Sequence, residues 1–263
     1  MAMNIKSLKL ALALTVTLGV ATGLKGAQAA GEAKHPAAID WSFAGLFGTY
    51  DRDALRRGYQ VYTEVCAACH GMNYVAFRNL SQPGGPEFSE AEVKAIAAAY
   101  MVEDGPDDYG DMFERPALPK DKFIAPYPND NAARAANGGA YPPDLSLITK
   151  ARSGGPDYIH ALLTGYQDPP EGVELRPGLY YNPYMAGSKI AMPSPLMDDL
   201  LEYGDGTPAT VEQMSLDVTH FLNWAAEPEL EARKRTGFMV LVYLSIFAAL
   251  MFFSMRKIWA DLH

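Results

Sequence analysis

The chain has 263 residues, 49% of them apolar, with 31 acidic against 22 basic side chains and a formal net charge of −9. That length allows one substantial domain with appendages, or two small domains. The acidity argues against a nucleic-acid role, which needs a basic footprint, and suits a basic protein partner, because opposite fields speed encounter.

Residues 1–29 read as a secretory signal peptide. Lys6 and Lys9 precede an apolar run from Leu10 to Val20, and Ala27-Gln28-Ala29 supplies a small-x-small cleavage site. Loss of Lys6, Lys9 and Lys25 leaves 19 basic against 31 acidic residues, a net charge of −12. The mature domain, 30–232, is expected on the far side of a bacterial inner membrane.

Gly31 to Tyr50 is a mixed lead-in whose Trp41, Phe43, Leu46 and Phe47 are expected to pack on the domain. Asp51 or Asp53 then caps a helix with Leu55, Tyr59, Tyr62 and Cys66 at helical spacing. This helix is expected to run to Gly71 and to carry Cys66-Ala67-Ala68-Cys69-His70 at its end, with the only two cysteines of the chain. C-x-x-C-H is the attachment signature of a c-type haem. Residues three apart share a helical face, so both thiols reach one porphyrin, and His70 follows as the proximal iron ligand. Half a zinc site would need two further ligands, whereas His35, His160, His220 and His263 are scattered singly. One covalently attached haem c is the expected cofactor, and no cysteine remains for a disulfide.

Ser89-Glu90-Ala91-Glu92 reads as a capping box opening a helix with Val93, Ile96, Ala97 and Tyr100. An irregular acidic stretch follows, with Glu103, Asp104, Asp107, Asp108, Asp111 and Glu114. It reads equally as a solvated loop or as a docking surface for a basic electron-transfer partner. Pro116 to Pro143 is expected to form long loops with a haem to wrap. Pro156 to Thr164 reads as a short helix stopped by Gly165, and Asp168 to Pro208 as loop again. Thr210 opens an amphipathic helix, with Gln213 completing a capping box and Val211, Met214, Val218, Phe221, Leu222 and Ala225 as its apolar stripe. Pro228 is expected to kink it.

Gly237 to Met255 offers 19 residues without a formal charge, about 28 Å of helix, close to the thickness of a bilayer core. Arg233, Lys234 and Arg235 precede it, and Arg256 and Lys257 follow. With both flanks basic, orientation falls to the export signal: a single-pass anchor at 233–257 and a cytoplasmic tail at 258–263. The chain as a whole reads as mainly α.

A haem held by His70 alone would be open and reactive, whereas a second strong ligand makes an electron carrier. A methionine thioether favours reduced iron and raises its potential. Of twelve methionines, Met1 and Met3 leave with the signal, Met239, Met251 and Met255 lie in the span, and Met72 is too near His70. Met101, Met112, Met185, Met192, Met197 and Met214 remain. Met192 is favoured because Ile190-Ala191-Met192-Pro193-Ser194-Pro195 braces it between prolines. Met185, after Asn182-Pro183-Tyr184, is the second choice, and Met214 belongs to a core stripe.

Tyr141-Pro142-Pro143-Asp144-Leu145-Ser146, Tyr181-Asn182-Pro183-Tyr184, Ile190-Ala191-Met192-Pro193, Asp205-Gly206-Thr207-Pro208-Ala209-Thr210 and Trp224-Ala225-Ala226-Glu227-Pro228-Glu229 follow the haem motif in order. With the C-terminal span, this set resembles the bacterial cytochrome c1 family over essentially the whole mature chain. The resemblance implies a class I cytochrome c-like haem domain with long loop insertions, anchored beside cytochrome b in a dimeric quinol:cytochrome c oxidoreductase. It implies Met192 as axial ligand, Arg152 and Tyr158 beside the haem propionates, and Asn137 and Pro143 in the haem pocket. An arginine suits the propionates because its fork pairs with carboxylates. It further implies the Rieske iron–sulfur protein as electron donor and a cytochrome c as acceptor. The chain departs from relatives that carry an extra cysteine pair, and has Met185 where phenylalanine is common and Pro193 where alanine is.

Overall fold

The computed structural model describes residues 33–260. The signal peptide read over 1–29 and the terminal Asp261-Leu262-His263 lie outside them. The first helix, α1, spans Arg52–Glu64, and Asp51 caps it by accepting from the backbone N–H groups of Asp53 and Ala54. Its apolar face (Ala54, Leu55, Val61, Tyr62) packs against α6, Val211–Ala226, whose Met214, Val218, Phe221, Leu222, Trp224 and Ala225 are buried. Each fully buried side chain of this size contributes roughly 1.5–3 kcal/mol relative to exposure, so this crossing anchors the domain.

Two polar details fix the crossing. A Cβ on Gly58 would stand 2.0 Å from the Asp217 carbonyl oxygen, so only glycine lets the two backbones touch. One residue earlier, Arg57 Nε donates to Asp217 Oδ2 and Nη2 to Oδ1, each at 2.9 Å, with the Asp217 side chain 1% exposed. The fork-to-fork geometry gives the buried carboxylate the partner that its desolvation requires.

Helix α2, Glu90–Ala98, opens on the complete Ser89–Glu92 capping box, and buries Val93 and Ala97. Beyond it the acidic stretch is irregular only over 105–112, between two short strands. Strands β1 (Met101–Asp104) and β2 (Phe113–Pro116) pair antiparallel, Met101 opposite Pro116. Arg115 bridges Asp104 and Asp121 across the hairpin base. Four-residue strands carry too little alternation to be read from sequence. In the segment expected to be all loop, α3 forms over Asp130–Ala136, capped by Asn129. The cap and the alanines that follow were the available signal.

Helix α4 (Ile148–Ala151) and helix α5 (Gly155–Thr164) pack against α6. Further on, β3 (Tyr180–Tyr181) pairs with β4 (Lys189–Ile190) in a two-residue ladder. Thr210 caps α6 by accepting from Gln213 N–H, but Gln213 reaches forward to Asp217 instead of back, so the expected capping box is half formed.

Pro228 breaks the chain instead of kinking it. Helix α6 ends at Ala226, Glu227 leaves the helical region at φ −147°, and α7 starts afresh at Leu230. A residue before proline is pushed out of the α region by the ring. Helix α7, Leu230–Ala260, has 31 residues, about 46 Å long. It is the one helix among the described residues long and apolar enough to cross a membrane, and only Leu230 in it is buried. Glu231 ties its first turn to the domain, accepting from Tyr50 N–H and from both ends of the Arg52 fork, all at 2.8 Å.

Candidate functional site

Helix α1 stops at Glu64, short of the cysteines. Cys66–Ala68 forms a separate 3₁₀ turn, in which Cys69 and His70 N–H both return to the Cys66 carbonyl at 3.1 and 2.9 Å. The expected run to Gly71 fails because long-range bonds draw the chain off the helix axis. Leu145 N–H donates to Gly71 O at 2.9 Å, Asn73 N–H to Asp144 Oδ2 at 2.8 Å and Tyr74 N–H to Ser146 Oγ at 3.1 Å. The 143–146 loop is thereby zipped onto the residues that follow the motif. Tyr62, buried in α1, adds a bond from its hydroxyl to His70 O at 3.3 Å.

This zipper sets the state of the imidazole. His70 Nδ1 lies 2.8 Å from the Pro143 carbonyl oxygen, which has no proton to give, so Nδ1 is the N–H donor. The other ring nitrogen, Nε2, then carries the lone pair, the state a metal ligand needs, with the carbonyl fixing ring orientation. Burial holds His70 below the ordinary histidine value and so keeps the ring neutral. Both cysteines are free thiols, Cys66 half-buried and Cys69 exposed, and burial pushes the Cys66 thiol up to about 12. Two unpaired sulfurs three residues apart and a neutral imidazole with one committed nitrogen make a donor set that fits a haem. A zinc site finds no support in arrangement, since no three of His, Cys, Asp and Glu converge among the described residues.

Met192 stands on a second, loop-built wall. The side chain is half-buried, and the segment is held through its backbone, Tyr166 Oη donating to Met192 O at 3.0 Å. Burial raises the Tyr166 phenol well above its usual range, so that hydroxyl stays a donor. Met185 occupies a different place: its sulfur accepts from Tyr158 Oη at 3.6 Å. Asn182 organises that loop from full burial, giving Nδ2–H to Leu162 O and accepting from Tyr184 N–H. A Cβ on Gly165 would stand 2.5 Å from the Tyr184 ring, which explains a glycine where α5 meets this loop.

The remaining expected residues lie on other elements. Asn137 ends α3, its amide donating to Ala133 O at 2.7 Å and to Tyr127 Oη at 3.2 Å. Arg152 is exposed, and the one hydrogen bond of its guanidinium among the described residues goes to Ala151 O, which leaves most of its donors available for an anion. Tyr158 is half-buried, close enough to Arg152 to feel its charge. No hydrogen bond joins the His70 wall to the Met192 segment among the described residues. Tyr166 was not singled out from the sequence, and Asp144 and Asn182 appeared there only as members of longer motifs. An Asp-x-Ser pair and a buried asparagine before proline were the visible hints.

The hairpin between β1 and β2 presents the acidic residues. Tyr109 at its tip is 91% exposed. Asp107 Oδ1 accepts from the N–H groups of Tyr109 and Asp111, which holds its carboxyl below the ordinary range. Asp108 and Asp111 pair with no basic side chain among the described residues.

The sequence model described as Cytochrome C1 family matches residues 41–262. The chain is 54% identical to a protein of Bradyrhizobium diazoefficiens named cytochrome b/c1, over 91% of this chain but only 38% of that protein's length. It is 54% identical to a mitochondrial cytochrome c1 heme protein of Solanum tuberosum, over 85% of this chain and 86% of the relative. A protein of Rhodospirillum rubrum named cytochrome c1 shares 50% identity, over 84% and 86%.

Proposed function

The chain belongs to the cytochrome c1 family, and from that premise we propose that it is the haem subunit of a bacterial quinol:cytochrome c oxidoreductase. The observation that carries this reading is the His70 Nδ1 to Pro143 O bond, which leaves Nε2 as a lone-pair donor beside two free thiols. Cys66 and Cys69 are the attachment points, His70 and Met192 the axial ligands. Arg152 and Tyr158 meet the propionates, with Asn137 and Pro143 at the pocket. When bound, the haem c supplies reversible one-electron chemistry, between the Rieske iron–sulfur protein as donor and a cytochrome c as acceptor. The chain's own residues hold and tune: Pro143 fixes the imidazole tautomer, Tyr166 pins the Met192 backbone, and the aromatic core behind Tyr62 excludes water.

Helix α7 anchors the domain in the membrane, with the domain on the periplasmic side and cytochrome b as lateral neighbour. The name cytochrome b/c1 of the Bradyrhizobium relative supports that neighbour. The unpaired Asp108 and Asp111 suit docking of a basic cytochrome c, as a charged rim raises on-rates more than affinity. Replacing Asp107, Asp108 and Asp111 by asparagine is expected to slow low-salt reduction of that cytochrome. An unchanged rate would remove the docking assignment.

Affinity purification of the full chain from native membranes tests the central reading. Co-purification of cytochrome b and a Rieske protein, with quinol reducing the haem only when the Rieske protein is present, is the expected result. Recovery as a freestanding cytochrome that quinol cannot reduce would overturn it.

A further inference from the structure

We propose that the loop Ala44–Gly48 is a membrane-interface anchor, whose Leu46 and Phe47 enter the lipid headgroup region beside the start of α7. The lead-in segment folds back on itself here: Ala44 N–H donates to Trp41 O at 2.8 Å and Thr49 N–H to Ser42 O at 3.0 Å. Trp41 and Phe43 turn inward and are buried, Trp41 Nε1 donating to Asp157 Oδ1 at 2.6 Å. Leu46 and Phe47 turn outward, 57% and 73% exposed. Two large apolar side chains on a closed loop tip cost free energy in water and gain it at a lipid surface.

The position of the loop says what covers them. The Phe47 ring meets Phe238 edge-on, centroids 5.7 Å apart, and Phe238 is the third residue of the uncharged run that follows Arg235. The tip is therefore continuous with the apolar surface of α7, within about one helical turn of Arg235, where charge ends. The two ends of the loop are also tied to the start of α7. Lys234 Nζ donates to Phe43 O at 2.6 Å and Gly48 O at 3.0 Å, so its ammonium fills two carbonyls that water would otherwise serve. Gly48 is needed for the closure, since a Cβ there would lie 1.9 Å from Ala44 O.

The inference rests on α7 crossing the bilayer, and the experiment separates the two claims. Spin labels are placed singly at Leu46→Cys, at Ile246→Cys within α7 and at Tyr109→Cys on the hairpin, in the full haem-loaded complex reconstituted into phosphatidylcholine vesicles. Phe47→Cys replaces Leu46→Cys if the latter fails to incorporate haem. Relaxation by oxygen, which partitions into lipid, is compared with relaxation by a water-soluble nickel chelate. The expected result is a Leu46 label shifted from the Tyr109 ratio toward the Ile246 ratio. A Leu46 label that matches Tyr109, or that neither relaxant reaches because protein covers it, overturns the anchor while Ile246 still reports lipid. An Ile246 label in water overturns the span itself.

Discussion

The two walls of the site are built by different means. The His70 wall stands on the α1–α6 crossing, with Gly58, the Arg57–Asp217 pair and a buried aromatic core behind it, and the 143–146 loop zipped along it. The Met192 wall is loop, held by a two-residue ladder, the buried Asn182 and one hydroxyl from Tyr166. A covalently tethered group needs its tether on a part of the fold that does not open. On the proposed assignment, a thioether held through iron would need less, because that bond would help to hold the loop. The difference is one of framework: His70 is backed by a helix crossing, whereas Met192 is held by a loop with few ties.

The comparison breaks most sharply if the crossing is cut. Arg57→Leu leaves Asp217 buried without its partner, and is expected to cost about 3–5 kcal/mol of stability, read as a fall in thermal midpoint. The double variant Arg57→Leu/Asp217→Leu should regain much of that loss, since it removes both the charge and its unmet need. On the other wall, Met192→Leu should leave the fold and haem attachment intact. It should lower the midpoint potential by a sizeable part of the roughly 0.8 V range that axial ligands span, read by redox titration; an unchanged potential would reassign the ligand.

Smaller still is the effect expected of Tyr166→Phe. Loss of one hydrogen bond, about 1 kcal/mol, should raise the fraction of open Met192 loop roughly fivefold. Binding of an external ligand such as imidazole to the oxidised protein measures it. The smallest effect belongs to the acidic hairpin, which serves neither wall. Arg115, with help from Leu118 N–H, lowers the Asp121 carboxyl from 3.8 to about 2, and Arg115 lowers Asp104 as well. A carboxylate depressed in the folded state stabilises fully above its unfolded value. That contribution is lost as pH falls from about 4 toward about 2, and solvent screening keeps it small. Protection of the 101–121 amides, taken relative to their intrinsic exchange rates, should therefore fall in this window while the α1–α6 amides stay protected.

What could be read from the sequence was local. The C-x-x-C-H motif, the caps at Asp51, Ser89 and Thr210, the α5 helix ending before Gly165, and the long uncharged run of α7 all lie within a few residues of the signal that declares them. Proline bracing and a resemblance together singled out Met192. What only the tertiary structure decided was non-local: the early end of α1, the pairing of β1 with β2, the Tyr166 hydroxyl on Met192, the Pro143 carbonyl on His70, and the grip of Lys234 on the 44–48 loop. Each joins residues outside one another's local pattern through a few hydrogen bonds or a short ladder, and such partners have no periodicity to announce them. Side-chain chemistry fixed which atoms could hold a cofactor; long-range hydrogen bonds and burial set their tautomer and their support.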